Sequence, residues 1–362
     1  MDRDLMHSAE VKEMVRDAYR AVDSDTSSVA SRLYSREELA GVPRSAAARA
    51  LGVGNHLRYA DIEPGSTVLD VGCGAGIDAI IAAGMTGANG RVIGLDFLPE
   101  MLARTEAAAA EAGLPNVETL EGEMEAIPLP DASVDHVISN GVINLSPRKS
   151  RALAEIARVL RSGGDLCMSD LTMQDEELPP EVLTHPAAWA GCVAGVLTER
   201  LYLEKLERAG FDDVQVVSRK PFGIDQCAEY PLFTEELITL MRRLIPAARH
   251  DSVATSVVIK ARVEKMSRLE DVMTDDKGVK VGASAIHHFD AGDLGCASGL
   301  AEEFRRRLEA IAPGDQLEVV ARDPAAKEDL PSLARMLGHQ VNSLEPRRDG
   351  GVVMTVERRT AG

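Results

Sequence analysis

Residues 68–76, VLDVGCGAG, decide the fold of this chain. The apolar, mostly β-branched run that leads to Asp70 predicts a buried strand, and the segment IDAIIAAG after the turn predicts a helix. Gly72, Gly74 and Gly76 lie between them, where the lack of a Cβ lets backbone pass close to a ligand and makes positive φ cheap. The helix beyond directs unpaired N–H groups to the same place. The stretch therefore predicts a ligand-binding turn between a strand and a helix.

A second strand agrees with this interpretation. RVIGLD ends in Asp96, and an acidic residue there typically binds a ribose diol at the switch point of a doubly wound sheet. Strands alternate with helices along the chain, which predicts an α/β fold with a mostly parallel, Rossmann-like sheet covered on both faces. The predicted strands are 68–71, 91–95, 117–120, 134–139, 165–169 and 256–264, and the predicted helices are 77–84, 98–113, 148–161 and 235–248.

Four ordered segments resemble the class I S-adenosylmethionine methyltransferases. They are the GxGxG turn with Asp70 before it, the strand that ends in Asp96, the acidic loop and strand EGEMEAIPLPDASVDHVISN at 121–140, and ALAEIARVLRSGGDLCMSD at 152–170. The resemblance implies S-adenosylmethionine as cofactor, with Glu123 facing the adenine amino group and the next backbone amide reaching the ring. The implied cofactor-binding residues are Asp70, Gly72, Gly74, Gly76, Asp96, Phe97, Glu123, Met124 and Asn140.

The composition restricts the classes of binding partner and the cellular compartment that we expect for this chain. The 362 residues suit two domains, and the apolar fraction of 45% suffices for real cores. The net charge of −18 argues against nucleic acid or anionic lipid as partner. We expect no membrane span, because no apolar run is long enough, and no metal site. Five scattered cysteines without a CxxC pair, together with a charged N-terminus, predict reduced thiols in the cytoplasm.

The chain is predicted to divide into a methyltransferase domain at 1–264, a polar linker at 265–283 and a small domain at 284–362. The first 60 residues are predicted to form helices, and one of these, SREELAGV, is predicted to begin with a Ser35–Glu38 capping box. The tail has the element order βαβαββ and resembles the α+β sulfur carriers of the TusA/SirA type. That resemblance implies a persulfide on Cys296 and a sulfur-transfer partner protein, although Ala297 stands where the family has proline.

The first domain is similar to the arsenite methyltransferases over about residues 20–262, through pieces such as SNGVINLSP, WAGC and HDSVATSVVIKA. The family binds As(III) with three cysteine thiolates, since a soft ion prefers soft ligands. At the matching positions this chain has Val53, Cys192 and Arg249. The resemblance therefore implies that the donor site is kept, whereas two of the three metalloid ligands are lost.

Several side chains remain as candidates on the acceptor side, besides Cys192 and Cys296. His185 and His250 are candidate bases, ahead of His136, and Arg249 suits an anionic acceptor. Three hypotheses stay open. The first is methyl transfer to a small soft or anionic acceptor, such as a sulfur species. The second is weak arsenite methylation that uses Cys192, and the third is a sulfur-relay protein whose first domain senses an adenosyl ligand.

Overall fold

The computed structural model describes residues 2–173, 178–183, 185, 187–188, 191, 193, 195–263, 286–292, 300–322, 326–347 and 352–359. The chain forms two compact units. The larger comprises residues 2–207 and 211–265, and the smaller consists mainly of residues 266–362. The predicted linker lies outside the described residues, so the domain limits stay predictions.

The larger unit is built on one sheet. Its strands are β1 (Thr67–Val71), β2 (Arg91–Asp96), β3 (Val117–Glu121), β4 (Val134–Asn140), β5 (Leu160–Met173), β6 (Leu197–Thr198), β7 (Phe211–Phe222) and β8 (Ala254–Val263). They lie in the order β3-β2-β1-β4-β5-β8-β7, and β6 pairs with β5. The strands from β3 to β5 are parallel, while β8 runs antiparallel to both of its neighbours. The doubly wound, mostly parallel fold is confirmed.

Helices cover both faces of this sheet. Before it come α1 (Asp2–Ala21), α2 (Ser27–Leu33) and α3 (Arg44–Ala47), and between its parallel strands lie α4 (Ile77–Thr86), α5 (Pro99–Ala112) and α6 (Lys149–Val159). After β5 follow α7 (Pro180–Leu183), α8 (Glu199–Arg208), α9 (Ile224–Cys227) and α10 (Glu235–Leu244). Because helices lie on both faces, the residues Val68 to Val71 of β1 are all buried.

The segment SREELAGV differs from its prediction. The reciprocal capping-box bonds form, since the Ser35 N–H donates to the Glu38 carboxylate (2.6 Å) and the Glu38 N–H donates to Ser35 Oγ (3.2 Å). Only turns follow, however, and no helix. Gly41 and Pro43 come too soon for a helix to propagate, and the Glu38 carboxylate instead pairs with Arg58.

The smaller unit follows the predicted βαβαββ order. It consists of β9 (Ile286–Gly292), α11 (Leu300–Ala310), β10 (Gln316–Ala321), α12 (Ala326–Met336), β11 (Gln340–Pro346) and β12 (Val352–Glu357), with the sheet order β11-β12-β10-β9. The predicted apolar stripe of α11 and the turn after it is buried in its core, at Leu300, Phe304, Leu308 and Ile311. Arg307 lies over the Phe289 ring, 4.2 Å from its centroid, and so covers one edge of that core.

Among the described helices, none has the length and apolar character that crossing a membrane requires.

Candidate functional site

A cavity opens at the carboxyl ends of β1, β2 and β4. The strand order reverses between β1 and β4, and ligands of doubly wound sheets bind at such a switch point. The predicted cofactor-binding residues that line the cavity are Gly72, Gly74, Asp96, Phe97, Glu123, Met124 and Asn140. The other two, Asp70 and Gly76, flank the glycine turn without lining the cavity. The structure thus brings the predicted donor set together, and the binding role of each residue stays a prediction.

The glycine turn has the geometry that its spacing predicts. Gly72 and Gly74 have φ values of +74° and +55°, a region that disfavours residues with a side chain. A Cβ on Gly72 would lie 2.5 Å from Cγ2 of Val142, whereas a Cβ on Gly74 would meet no heavy atom within 4 Å. The first glycine is therefore needed for packing, and the second leaves open space beside the cavity.

Asp96 ends β2 and is held by the backbone of two loops. Its Oδ2 accepts from the Gly74 N–H (3.1 Å), and its Oδ1 accepts from the Leu98 N–H (3.0 Å). Burial raises the pKa of Asp96, against the lowering effect of these bonds. The carboxylate is thus fixed in orientation at the cavity wall, as binding of a ribose diol requires.

Two further carboxyl groups lie beside Asp96. Asp70 is buried, and its Oδ2 has no hydrogen-bond partner among the described residues. Burial, then the charges of Asp78 and Asp96, raise the pKa of Asp70 well above its ordinary value. Asp78 lines the cavity and accepts from the Tyr34 hydroxyl (2.6 Å). Such a group of carboxyls suits a ligand that carries positive charge.

Helix α1 covers the cavity from the other side. The side chains of Lys12, Val15 and Tyr19 in α1, and that of Val22 directly after it, belong to the lining. Lys12 Nζ lies 2.6 Å from Oε2 of Glu123 and 3.5 Å from Oε2 of Glu125. Arg16 lies over the Phe97 ring, 5.7 Å from its centroid. Thus α1 contacts both loops that are predicted to hold the adenosine.

The predicted acceptor-side residues lie apart from this cavity or outside the described residues. His185 Nδ1 accepts from the Ala187 N–H (3.2 Å), and His250 Nε2 donates to the Ile245 carbonyl (2.8 Å). Arg249 ends a 3₁₀ turn, Ala247–Arg249, and is half-buried. None of these three lines the cavity. Cys192 and Cys296 lie outside the described residues, and all five roles stay predictions.

The remaining cysteines and His136 belong to the core. Cys73, Cys167 and Cys227 are buried free thiols, and burial raises the pKa of both Cys167 and Cys227 to about 12. They are neutral at physiological pH and make poor ligands for a soft ion. His136 pairs with Asp165 (3.0 Å) near the start of β4. This is the amino end of the parallel strands, opposite the end at which the cavity opens.

Sequence reasoning missed Tyr34, Asp78 and the whole contribution of α1. Asp78 could have been found from the sequence, since it is an acidic residue in the first turn of the helix that follows the glycine turn. Tyr34 could not, because it contacts Asp78 from a segment 44 residues earlier in the chain.

Two family models match the chain. Residues 62–210 match "Methyltransferase domain", and residues 302–358 match "Sulfurtransferase TusA". The chain therefore carries a methyltransferase domain of the S-adenosylmethionine-dependent class, joined in one polypeptide to a TusA domain. Cys296 precedes the matched part of the TusA domain.

Within that class, the chain is similar to arsenite methyltransferases. It is 39% identical over 198 residues to an arsenite methyltransferase of Halobacterium salinarum, a match that covers 54% of this chain and 50% of the relative. It is 31% identical over 197 residues to the arsenite methyltransferase of Homo sapiens, with 51% and 50% covered. The chain thus spans about half the length of these curated relatives. A solved arsenic(III) S-adenosylmethionine methyltransferase from Chlamydomonas reinhardtii is 32% identical, with 64% of this chain and 73% of that chain covered and a TM-score of 0.49.

The residues of the cavity fit S-adenosylmethionine as the cofactor. The molecule carries a sulfonium and an ammonium group, and Asp70 offers a buried carboxyl oxygen without a partner among the described residues. Asp96 ends β2, the position at which doubly wound folds hold a ribose diol, and Gly74 leaves open space beside it. The site therefore suits the charge of the ligand and has space next to the glycine turn.

Proposed function

We propose that this chain transfers a methyl group from S-adenosylmethionine to a small soft acceptor, and that trivalent arsenic is the first candidate. The observation that carries the proposal is the cavity itself, in which the glycine turn, Asp96 and Asp78 converge, with the buried carboxyl group of Asp70 next to the turn. The relatives named arsenite methyltransferases support the acceptor.

The residues of the chain have separate tasks in this reaction. S-adenosylmethionine, when bound, supplies an electrophilic methyl group on a sulfonium that is already a good leaving group. Asp70 and Asp78 offset its positive charge, and Asp96 holds its ribose. The apolar side chains of Val15 in α1 and of Val22 directly after it exclude water from the cavity. The protein thus contributes alignment and dehydration rather than acid catalysis.

The acceptor needs few groups from the protein. An arsenite lone pair or a thiolate requires little help from a base, because each is already nucleophilic. Val53 is buried and offers no thiol, and the described cysteines are neutral. We therefore assign Cys192, which stands where the resemblance to arsenite methyltransferases implies a ligand, as a protein thiolate for arsenic. Added thiols complete the coordination in this proposal. In this proposal, His185 and His250 would act as bases only with a protic acceptor, and Arg249 would bind only an anionic acceptor.

A second candidate is a sulfur acceptor, which the TusA match in the same polypeptide favours. Cys296 would then present a persulfide, and a sulfur-transfer protein would load it. In the sulfur-carrier family that the tail resembles, the matching cysteine lies at a helix N-terminus, which favours the thiolate.

One assay separates these candidates. Release of S-adenosylhomocysteine is followed with arsenite plus glutathione, with small thiols and with glutathione persulfide, which can transfer its outer sulfur to a cysteine thiolate and leave as glutathione. We expect turnover with arsenite that Cys192→Ser abolishes and Cys227→Ser, a buried control, does not. Turnover with sulfur acceptors alone, lost in Cys296→Ser, would favour the second candidate. Binding of the donor without turnover on any acceptor would refute both and favour the adenosyl sensor.

A further inference from the structure

The side chain of Asn140 joins two parts of the site through all of its polar atoms. Its Oδ1 accepts from the N–H groups of Val53 (2.9 Å) and Gly54 (3.2 Å). Its Nδ2 donates to the Gly54 carbonyl (2.9 Å) and to Oδ2 of Asp78 (3.0 Å), and lies 3.1 Å from the Tyr34 hydroxyl. Asn140 lines the cavity, but its amide is committed to these protein partners.

The resemblance to arsenite methyltransferases implies that the segment Gly52–Gly54 lies on the acceptor side of the cavity. Gly52 belongs to the lining, and Val53 stands where the arsenite methyltransferase resemblance implies a metalloid ligand. The Tyr230 hydroxyl donates to the Gly52 carbonyl (2.7 Å), and Ser256 Oγ donates to the Val53 carbonyl (2.7 Å). Tyr230 and Ser256 therefore hold the carbonyls of Gly52 and Val53, whereas Asn140 holds the N–H groups of Val53 and Gly54 and the Gly54 carbonyl.

Asp78 belongs to the donor side. It stands in the first turn of α4, directly after the glycine turn, and lines the cavity. Its two carboxyl oxygens accept from Tyr34 and Asn140. The same amide group therefore contacts a carboxylate of the donor site and the backbone of the acceptor segment.

We propose that Asn140 is a positioning residue that couples occupancy of the donor site to the placement of Gly52–Gly54. The proposal rests on the proposed function in that the donor is a cationic adenosyl compound. A cation beside Asp78 fixes the carboxylate, and the fixed carboxylate holds the Asn140 amide in the orientation that accepts from Val53 and Gly54. Donor binding thereby orders the wall against which the acceptor is placed.

Amide hydrogen exchange at Val53 and Gly54 tests this coupling without an acceptor. S-adenosylmethionine is the probe, and calorimetry establishes its binding to each variant. In the wild-type chain we expect saturation to slow exchange at both amides about tenfold. Asn140→Asp keeps an acceptor for these amides but has no group that donates to Asp78. At S-adenosylmethionine concentrations that saturate this variant in calorimetry, we expect it to lose the donor-dependent slowing.

Ser256→Ala is the matched control, because it frees the Val53 carbonyl without touching Asp78. We expect its basal exchange to rise while the tenfold donor-dependent slowing remains. If Asn140→Asp does not fold, Tyr34→Phe takes its place, since it removes the hydroxyl between Asp78 and Asn140 and should reduce the slowing. Donor-dependent slowing that persists unchanged in the folded Asn140 or Tyr34 variant, or that is absent from a wild-type chain that binds the donor, would overturn the proposal. A wild-type chain that does not bind S-adenosylmethionine would instead refute the proposed function.

Discussion

Alanine at Gly72 and at Gly74 should have different consequences, because their surroundings differ. Both positions have positive φ, which costs roughly 1–2 kcal/mol for alanine. At Gly72 the added Cβ would also lie 2.5 Å from Val142, and such overpacking adds about 1–3 kcal/mol. Gly72→Ala should therefore lower the free energy of unfolding by roughly 2–5 kcal/mol, against about 1–2 kcal/mol for Gly74→Ala.

Donor binding should show a separate effect at Gly74. Its Cβ would project into the space where no protein atom lies within 4 Å, so it should compete with the ligand. We expect Gly74→Ala to weaken binding of S-adenosylhomocysteine at least about tenfold, or roughly 1.4 kcal/mol. Urea unfolding followed by the fluorescence of the only tryptophan, Trp189, measures stability, and calorimetry measures binding. Gly74→Ala that is as destabilised as Gly72→Ala, or that binds the ligand like wild type, would refute this reasoning.

Three further predictions concern other parts of the larger unit. Lys12→Ala removes the partly exposed ion pair with Glu123. Release of S-adenosylhomocysteine, followed by stopped flow, should become about threefold faster at low salt, and high salt should abolish this difference. Equal release rates at low salt would contradict the prediction. Burial lowers the pKa of His136, but the hydrogen bond and charge of Asp165 raise it on balance. The stability that this pair contributes is thus complete below pH about 6.5 and is lost as pH rises through the raised pKa of His136. In urea titrations, the free energy of unfolding of His136→Gln should depend less on pH than that of the wild type. An unchanged pH dependence would count against this role of the pair. Val53→Cys should tighten arsenite binding about tenfold or more in calorimetry, and an unchanged affinity would remove this segment from the acceptor site.

The local features of the donor site were predictable. Glycine spacing, an acidic residue at the end of β2 and the alternation of strands with helices are short-range signals. They correctly placed Gly74 and Asp96 at one cavity and predicted the sheet. The buried stripe of α11 followed from its helical period in the same way.

Other predictions depended on partners that the local sequence does not contain. The Ser35–Glu38 capping box forms without its helix, since Glu38 is also bound by Arg58 from a later segment. Asn140 was predicted to bind the cofactor, and it does line the cavity. What its amide contacts could not be known, because Val53 lies 87 residues before it.

By itself, the sequence determined the class of fold, the end of the strands at which a ligand binds and the types of domain that the chain joins. The fold class and the binding site's place follow from periodicity and turn chemistry, which act between residues a few positions apart, and the domain types follow from the resemblance of short motifs to known families. Only the tertiary structure decided that α1 covers the cavity, that Tyr34 and Asn140 converge on Asp78, and that the described cysteines are buried. Hydrogen bonds, ion pairs and burial depend on distance in space, and the folding of the whole sheet is what brings such remote residues together.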